Sequence, residues 1–152
     1  MKTSDSIKEL ATALAKAQAT MAGAKKDSTN PHFRSKYADL ASIWEACRDA
    51  LTSNGIAVVQ MTRATTEEAV IVETRLMHSS GEWAEGELLV PVTKADAQGY
   101  GSAITYARRY ALAAAVGVAP EDDDGNAAAA ARPPAKQVLP GAMNGADVNR
   151  EA

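Results

Sequence analysis

Apolar residues near the start of the chain recur at the three- and four-residue intervals of an amphipathic helix. These positions are Ile7, Leu10, Leu14, Ala17 and Met21. Ser6 and Glu9 have the spacing of a capping box at the helix start, and Gly23 stands where the helix would end. The pattern predicts an amphipathic helix between Ser6 and Gly23.

A second helical pattern follows Asp39, whose side chain is suited to capping a helix start. Its apolar positions are Leu40, Ile43, Cys47 and Leu51, and Asn54-Gly55 marks its end. Three extended runs come next, at residues 56–61, 70–77 and 82–90, joined by short polar stretches. Short connections indicate antiparallel pairing, so the runs predict a three-stranded meander.

A last helical pattern spans about residues 102–116, after Pro91 and a polar loop. The element order is therefore α-α-β-β-β-α. Strands that are grouped, rather than alternated with helices, are typical of an α+β fold. We expect the helices to pack on one face of the small sheet.

Residues 119–152 differ from the rest of the chain in composition. They include four prolines, the acidic run Glu121–Asp124 and an alanine run at 127–131. With 3 basic and 6 acidic side chains they carry the whole net charge of −3, because residues 1–118 hold 13 of each sign. We expect one ordered domain over residues 1–118 and a disordered acidic tail over residues 119–152.

Composition and charge exclude several classes of protein. A net charge of −3 argues against coating nucleic acid through bulk positive charge. The single cysteine, Cys47, excludes an internal disulfide, and its apolar neighbours favour packing over nucleophilic catalysis. His32 and His78 lack the spacing of zinc ligands. No apolar run approaches the roughly 20 residues of a membrane helix. We expect a soluble, cytoplasmic protein without a cofactor.

The last helix carries two arginines and two tyrosines. At about 100° per residue, its apolar stripe consists of Ile104, Ala107, Ala111, Ala114 and Val118. Arg109 points away from this stripe between Tyr106 and Tyr110, and Arg108 lies at the edge of the stripe beside Thr105. No acidic residue occurs between positions 99 and 119, so the helix itself supplies no carboxylate for these arginines. The pattern predicts a surface for an anionic ligand.

The turn Gly99-Tyr100-Gly101-Ser102 is expected to start this helix, where backbone N–H groups suit a phosphate. The lysine and Ser/Thr of a P-loop are missing, which argues against ATP. An alternative without a ligand stays open. In it, Arg108 and Arg109 pair with carboxylates of the sheet and the tyrosines are half-buried packing residues.

A basic and aromatic loop precedes the second helix. Its cationic and aromatic side chains are Lys25, Lys26, His32, Phe33, Arg34, Lys36 and Tyr37, against the one carboxylate of Asp27. Lysine and arginine follow the phosphates of a single strand, while aromatic rings stack on bases of any identity. The alternative is a solvated loop whose rings anchor it to the core.

Two segments carry a resemblance to a known family. Residues 30–40 read NPHFRSKYADL and residues 101–112 read GSAITYARRYAL, followed by EDDDGN at 121–126. In this order and separation they closely resemble the ERF family of phage single-strand annealing proteins, over about residues 30–126.

The resemblance implies a recombination protein that binds single-stranded DNA and pairs complementary strands without ATP and without covalent chemistry. It implies a β-β-β-α core, assembly of copies into a ring or filament, and action in the cytoplasm of the bacterial host. A host single-strand-binding protein or a phage exonuclease is a candidate partner. The expected DNA-binding residues are Lys25, Lys26, Phe33, Arg34, Lys36, Tyr37, Thr105, Tyr106, Arg108, Arg109 and Tyr110.

Two other functions stay open from the sequence. One is a single-strand-binding or protecting module that does not anneal. The other is a metal-dependent nuclease that holds Mg²⁺ at Glu121–Asp124, although consecutive carboxylates in a flexible tail lack the fixed geometry that metal catalysis requires. If the protein binds DNA, whether or not it anneals strands, the acidic tail is expected to compete with DNA for the arginines of the last helix.

Overall fold

The computed structural model describes residues 1–24, 28–29, 36–66 and 69–119, with backbone alone at 28–29, 36–37 and 64–66. In chain order the elements are β1 (Lys2–Thr3), α1 (Lys8–Gln18), β2 (Ser28–Thr29), β3 (Lys36–Tyr37), α2 (Leu40–Ser53), β4 (Ile56–Thr66), β5 (Ala69–His78), β6 (Trp83–Pro91) and α3 (Ala97–Val116). The α+β prediction is confirmed. Of the helices in these ranges, none is long and apolar enough to cross a membrane.

The main sheet has four antiparallel strands in the order β1-β6-β5-β4. The predicted meander of β4, β5 and β6 is present, but the predicted number of three strands is wrong because β1 pairs with β6. A strand of two residues leaves no alternation for a sequence pattern to detect. It is held instead by hydrogen bonds to a residue far away in the sequence: Ser4 N donates to Trp83 O (3.0 Å), and Trp83 N donates to Ser4 Oγ (2.9 Å).

One face of the sheet is covered by the helices, and the other is exposed. Alternate positions such as Val58, Leu76 and Ala84 are aligned across the strands and pack against the core, which the helices cover. Ile43 and Leu51 of α2 are fully buried in that core. The intervening positions, among them Met61 and Leu89, lie on the opposite face and are 64% and 57% exposed. The prediction that the helices pack on one face is therefore confirmed.

α2 has the start and end that its sequence predicts. Asp39 caps the helix, since its Oδ1 accepts hydrogen bonds from Ser42 N (2.9 Å) and Ser42 Oγ (3.0 Å). Asn54 closes the helix, and Gly55 turns the chain into β4 with φ of 71°. A side chain at Gly55 would crowd Ser79 Oγ at 2.9 Å, so the turn favours glycine.

α1 begins differently from its prediction. Ser6 and Glu9 form no capping box, and the residue before the helix, Ile7, makes no side-chain capping bond. The carboxylate of Glu82, at the β5–β6 turn, takes this role: it accepts hydrogen bonds from Leu10 N (2.8 Å) and Ser6 Oγ (2.6 Å). These two bonds lower the pKa of Glu82, the Ser6 hydroxyl contributing most. The helix also ends at Gln18, before Gly23.

The contacts of the chain divide it into a unit over residues 1–122 and a second over residues 123–152. All described elements belong to the first unit. The predicted tail lies almost wholly outside the described residues, so its disorder and the domain boundary at 118 stay predictions.

Candidate nucleic-acid interface

α3 starts five residues earlier than its sequence pattern indicates. Asp96 caps it: its Oδ1 accepts from Gly99 N (2.8 Å), and its backbone carbonyl accepts from Tyr100 N (3.0 Å). Lys94 Nζ pairs with Asp96 Oδ2 at 2.6 Å, and this contact, followed by the Gly99 bond, lowers the pKa of Asp96. The prediction of a phosphate-binding turn at Gly99–Ser102 is therefore wrong. These residues lie inside α3, and the carboxylate of Asp96 already occupies the start of the helix.

The buried face of α3 also differs from the predicted stripe. The buried residues of the helix are Ala103, Ala107, Leu112, Ala113 and Val116, whereas Ala114 is exposed. The helix contacts β5, β6 and α2, and its residues Leu112, Ala113 and Val116 join the core cluster that includes residues of α1 and α2. The predicted stripe assumes that the whole helix packs on the sheet. Because α3 packs both on the sheet and on another helix, its buried residues point in different directions around the helix axis.

Arg109 lies against both tyrosines of α3. Its Cζ is 4.7 Å from the ring centroid of Tyr110 and 5.5 Å from that of Tyr106, and the two ring centroids are 4.4 Å apart with 41° between their planes. Tyr106 is 49% exposed, and the other two residues are half-buried. The structure thus brings together three of the residues predicted from the sequence, as a cation beside two aromatic rings, one of which is half-exposed.

Arg108 contacts the sheet through an amide. Its Nε donates to Gln60 Oε1 (3.3 Å), while Gln60 Nε2 donates to the backbone carbonyl of Arg108 (3.0 Å) and to Thr74 Oγ1 (3.1 Å). Within the described ranges, no carboxylate lies at ion-pairing distance from Arg108. Sequence reasoning missed Gln60, although a polar residue after Ile56 and Val58 on the same face of a strand is a visible signal.

Thr105 is exposed, but its hydroxyl is already used as a donor. Thr105 Oγ1 donates to the Gly101 carbonyl (2.9 Å), one turn back in α3. A serine or threonine hydroxyl has one proton to donate. Thr105 therefore has no hydroxyl proton left for a phosphate while this bond is intact.

The glutamates of the sheet lie on the face opposite to the helices. Arg63 Nη2 pairs with Glu73 (3.1 Å) and Glu87 (3.8 Å), and Arg75 Nη2 pairs with Glu85 (2.6 Å). Lys2 adds contacts to Glu85 and Glu87 at 4.0 and 3.7 Å. The alternative that the sheet's glutamates neutralise Arg108 is therefore wrong, because they face away from it and pair with other cations.

The basic loop is described only in part. Lys25, Lys26, Phe33 and Arg34 lie outside the described residues, as does His32. Lys36 and Tyr37 form β3, where they pair with Thr29 and Ser28 of β2. Ala38, which follows directly, is buried in the core. The structure thus anchors the end of the loop next to the start of α2.

Cys47 and His78, the cysteine and the histidine that the structure describes, take part in packing and in a turn. Cys47 is fully buried, as its sequence pattern predicts, and burial raises the pKa of its thiol. His78 Nδ1 lies 2.9 Å from Ser80 Oγ in the β5–β6 turn. In the part of the chain that the structure describes, no three His, Cys, Asp or Glu residues are placed to hold a metal ion. The acidic run at 121–124 lies outside that part.

Comparison with known proteins supports one family. A search of the curated proteins found no match, and a search of the solved structures found none either. The family model described as the ERF superfamily matches residues 10–142, which includes both motif segments and all three helices except the first two residues of α1. Because this match covers most of the 152 residues, the chain belongs to the ERF superfamily.

Proposed function

We propose that the protein binds single-stranded DNA and anneals complementary strands in phage recombination, without ATP and without covalent chemistry. Membership of the ERF superfamily supports recombination as the setting. The observation that carries the proposal is the surface of α3, where Arg109 lies over two tyrosine rings and Arg108 has its Nε on Gln60. Arginine and accessible rings are the groups that hold a single strand without reading its sequence.

In this mechanism the cations hold the phosphates and leave the base edges accessible to a second strand. Arg108 and Arg109 are the proposed phosphate ligands on α3, with Arg34 and Lys36 of the loop as further ones. Tyr106 is the proposed stacking ring, since half of its surface is exposed. Thr105 has a smaller role, because its hydroxyl proton bonds to the helix backbone.

Membership of the ERF superfamily also supports a proposal about assembly. We propose that copies of the chain assemble into a ring or filament that joins their DNA-binding surfaces. The proposed location is the cytoplasm of the bacterial host. A host single-strand-binding protein and a phage exonuclease are the proposed protein partners.

The test measures how fast two complementary, dye-labelled oligonucleotides pair with the purified protein, without nucleotide and with EDTA. We expect pairing faster than without protein, and loss of this acceleration in the double variant Arg108→Ala/Arg109→Ala. The double variant Lys8→Ala/Lys16→Ala is the matched control, since it removes two exposed positive charges from α1.

Three results would redirect the proposal. Binding without faster pairing indicates a single-strand-binding or protecting module. Strand cleavage that requires Mg²⁺ indicates a nuclease. Equal loss of pairing in both double variants indicates a general charge effect, and removes the special role of α3.

A further inference from the structure

A small polar network lies between α3 and the sheet. Gln60 occupies the helix-covered face of β4, two residues beyond Val58, which packs against the core. Its amide makes three hydrogen bonds: to Thr74 Oγ1, to the carbonyl of Arg108, and from Nε of the same arginine. Thr74 is 5% exposed, so the network lies where unpaired polar atoms would be costly.

The chemistry of the partners fixes which way the Gln60 amide points. A backbone carbonyl only accepts hydrogen bonds, so the amide atom 3.0 Å from the Arg108 carbonyl is the nitrogen. The amide oxygen then lies 3.3 Å from Nε of Arg108, which only donates. Gln60 therefore holds Arg108 at two points, the backbone and the guanidinium.

The contact with Gln60 determines which N–H groups of Arg108 remain to bind a ligand. With Nε occupied by Gln60, the remaining donors of the guanidinium are on Nη1 and Nη2, its far end. Two parallel N–H groups at that end match the oxygens of a phosphate. Within the described ranges Arg108 has no carboxylate that would compete for them.

We infer that Gln60 is a positioning residue, which holds the Arg108 guanidinium so that its far end meets a DNA phosphate. This inference rests on the proposed function. A long side chain that is already ordered loses less conformational freedom on binding. Releasing Arg108 from Gln60 should therefore weaken DNA binding by about 2- to 12-fold, the cost of ordering one such side chain.

The first test replaces Gln60 by methionine, which is similar in size but makes no hydrogen bond to Arg108. Fluorescence anisotropy of a dye-labelled oligothymidylate measures the affinity over a series of salt concentrations. We expect weaker binding with an unchanged salt dependence, because Gln60→Met leaves the charge of Arg108 in place.

Gln18→Met is the matched control for a loss of helix anchoring. Gln18 Nε2 donates to the Val116 carbonyl of α3 at 3.1 Å, the same type of bond that Gln60 makes to the Arg108 carbonyl. Among the described residues, Gln18 has no bond to an arginine. We expect wild-type DNA affinity in this variant, whereas equal weakening in both glutamine variants would overturn the inference in favour of a structural role.

A second variant, Gln60→Glu, places a carboxylate beside the guanidinium and tests the inference even where Gln60→Met does not fold. The resulting ion pair should reduce the slope of log K against log salt by about 0.7, as for one lost phosphate contact with a single strand. Circular dichroism establishes that each variant is folded. An unchanged slope in a folded Gln60→Glu protein would overturn the inference.

A double variant separates this inference from the proposed function. If Gln60 acts through Arg108, adding Gln60→Met to Arg108→Ala should cause no further loss of affinity. A further loss equal to that of Gln60→Met alone overturns the positioning role and leaves the proposed function intact. Wild-type affinity in Arg108→Ala overturns the phosphate role of Arg108 itself.

Discussion

Replacing Tyr106 by leucine tests whether the rings of α3 stack on DNA bases. Tyr106 is 49% exposed, and its ring centroid lies 4.4 Å from that of Tyr110. Leucine keeps an apolar side chain at this position but removes the flat ring. The change therefore affects stacking without changing the charge of the surface.

The expected loss follows from the energy of stacking. One base on one aromatic ring contributes about 1–3 kcal/mol, which corresponds to about 5- to 150-fold in Kd. The slope of log K against log salt should stay unchanged, because Tyr106→Leu removes no positive charge. The Tyr106–Tyr110 contact contributes about 0.5–1.5 kcal/mol to folding, so the variant should still fold.

The assay is anisotropy of a dye-labelled oligothymidylate, with Tyr106→Phe as the matched control. Phenylalanine keeps the ring and loses only the hydroxyl, so its Kd should stay within about twofold of wild type, well below the loss expected for leucine. If leucine and phenylalanine bind DNA equally well, the ring does not stack. If the phenylalanine variant loses as much affinity as leucine, the hydroxyl makes the contact and the stacking argument is refuted.

Four further predictions concern charge, pH and packing. Arg109→Ala should reduce the salt slope by about 0.7 for every DNA sequence, while Arg48→Ala, an exposed position on α2, leaves it unchanged; equal slopes in both variants would contradict the role of Arg109. Glu82 has a lowered pKa, so its stabilising contribution is present above the ordinary value of 4.5 and is lost as the pH falls through the lowered one. Urea unfolding at several pH values should therefore give a gap between wild type and Glu82→Gln that narrows in acid, and a constant gap would contradict this. Ile43→Ala should lower the free energy of unfolding by about 2–5 kcal/mol, measured by denaturant, because Ile43 is fully buried; a loss below about 1 kcal/mol would indicate a core that closes around the cavity. Deleting residues 120–152 should tighten DNA binding, measured by anisotropy, and unchanged affinity would remove the competing role of the acidic segment.

Elements with local signals were predictable from the sequence. The start of α2 is one, because Asp39 and Ser42 make their capping bonds within three residues. The three long strands are another, since each is a run rich in strand-forming residues and their connections are short. The tyrosines around Arg109 were also predictable, because residues one helical turn apart must lie on the same side.

Elements that depend on distant partners were not predictable in this way. The cap of α1 comes from Glu82, which is 72 residues from Leu10, and no local spacing indicates such a bond. The start of α3 is a different case, because its Asp96 cap is local, only three residues before Gly99. Gly99 and Gly101 suggest a turn at positions where the helix has already begun, and this conceals the cap. A side chain on Gly99 would overlap the Lys94 carbonyl oxygen, so this glycine reflects close backbone contact.

The bond between Glu82 and the start of α1 also has a consequence for how the protein forms during synthesis. The first helix leaves the ribosome long before the carboxylate that completes its first turn, and β1 likewise waits for β6. Contacts of such long sequence separation form late, because the intervening chain must first be brought together. A nascent chain that ends before Glu82 therefore has α2 to pack against the apolar side of α1, but it lacks the cap of α1 and the partner strand of β1. The start of α1 and β1 take their final form only when the β5–β6 hairpin has emerged.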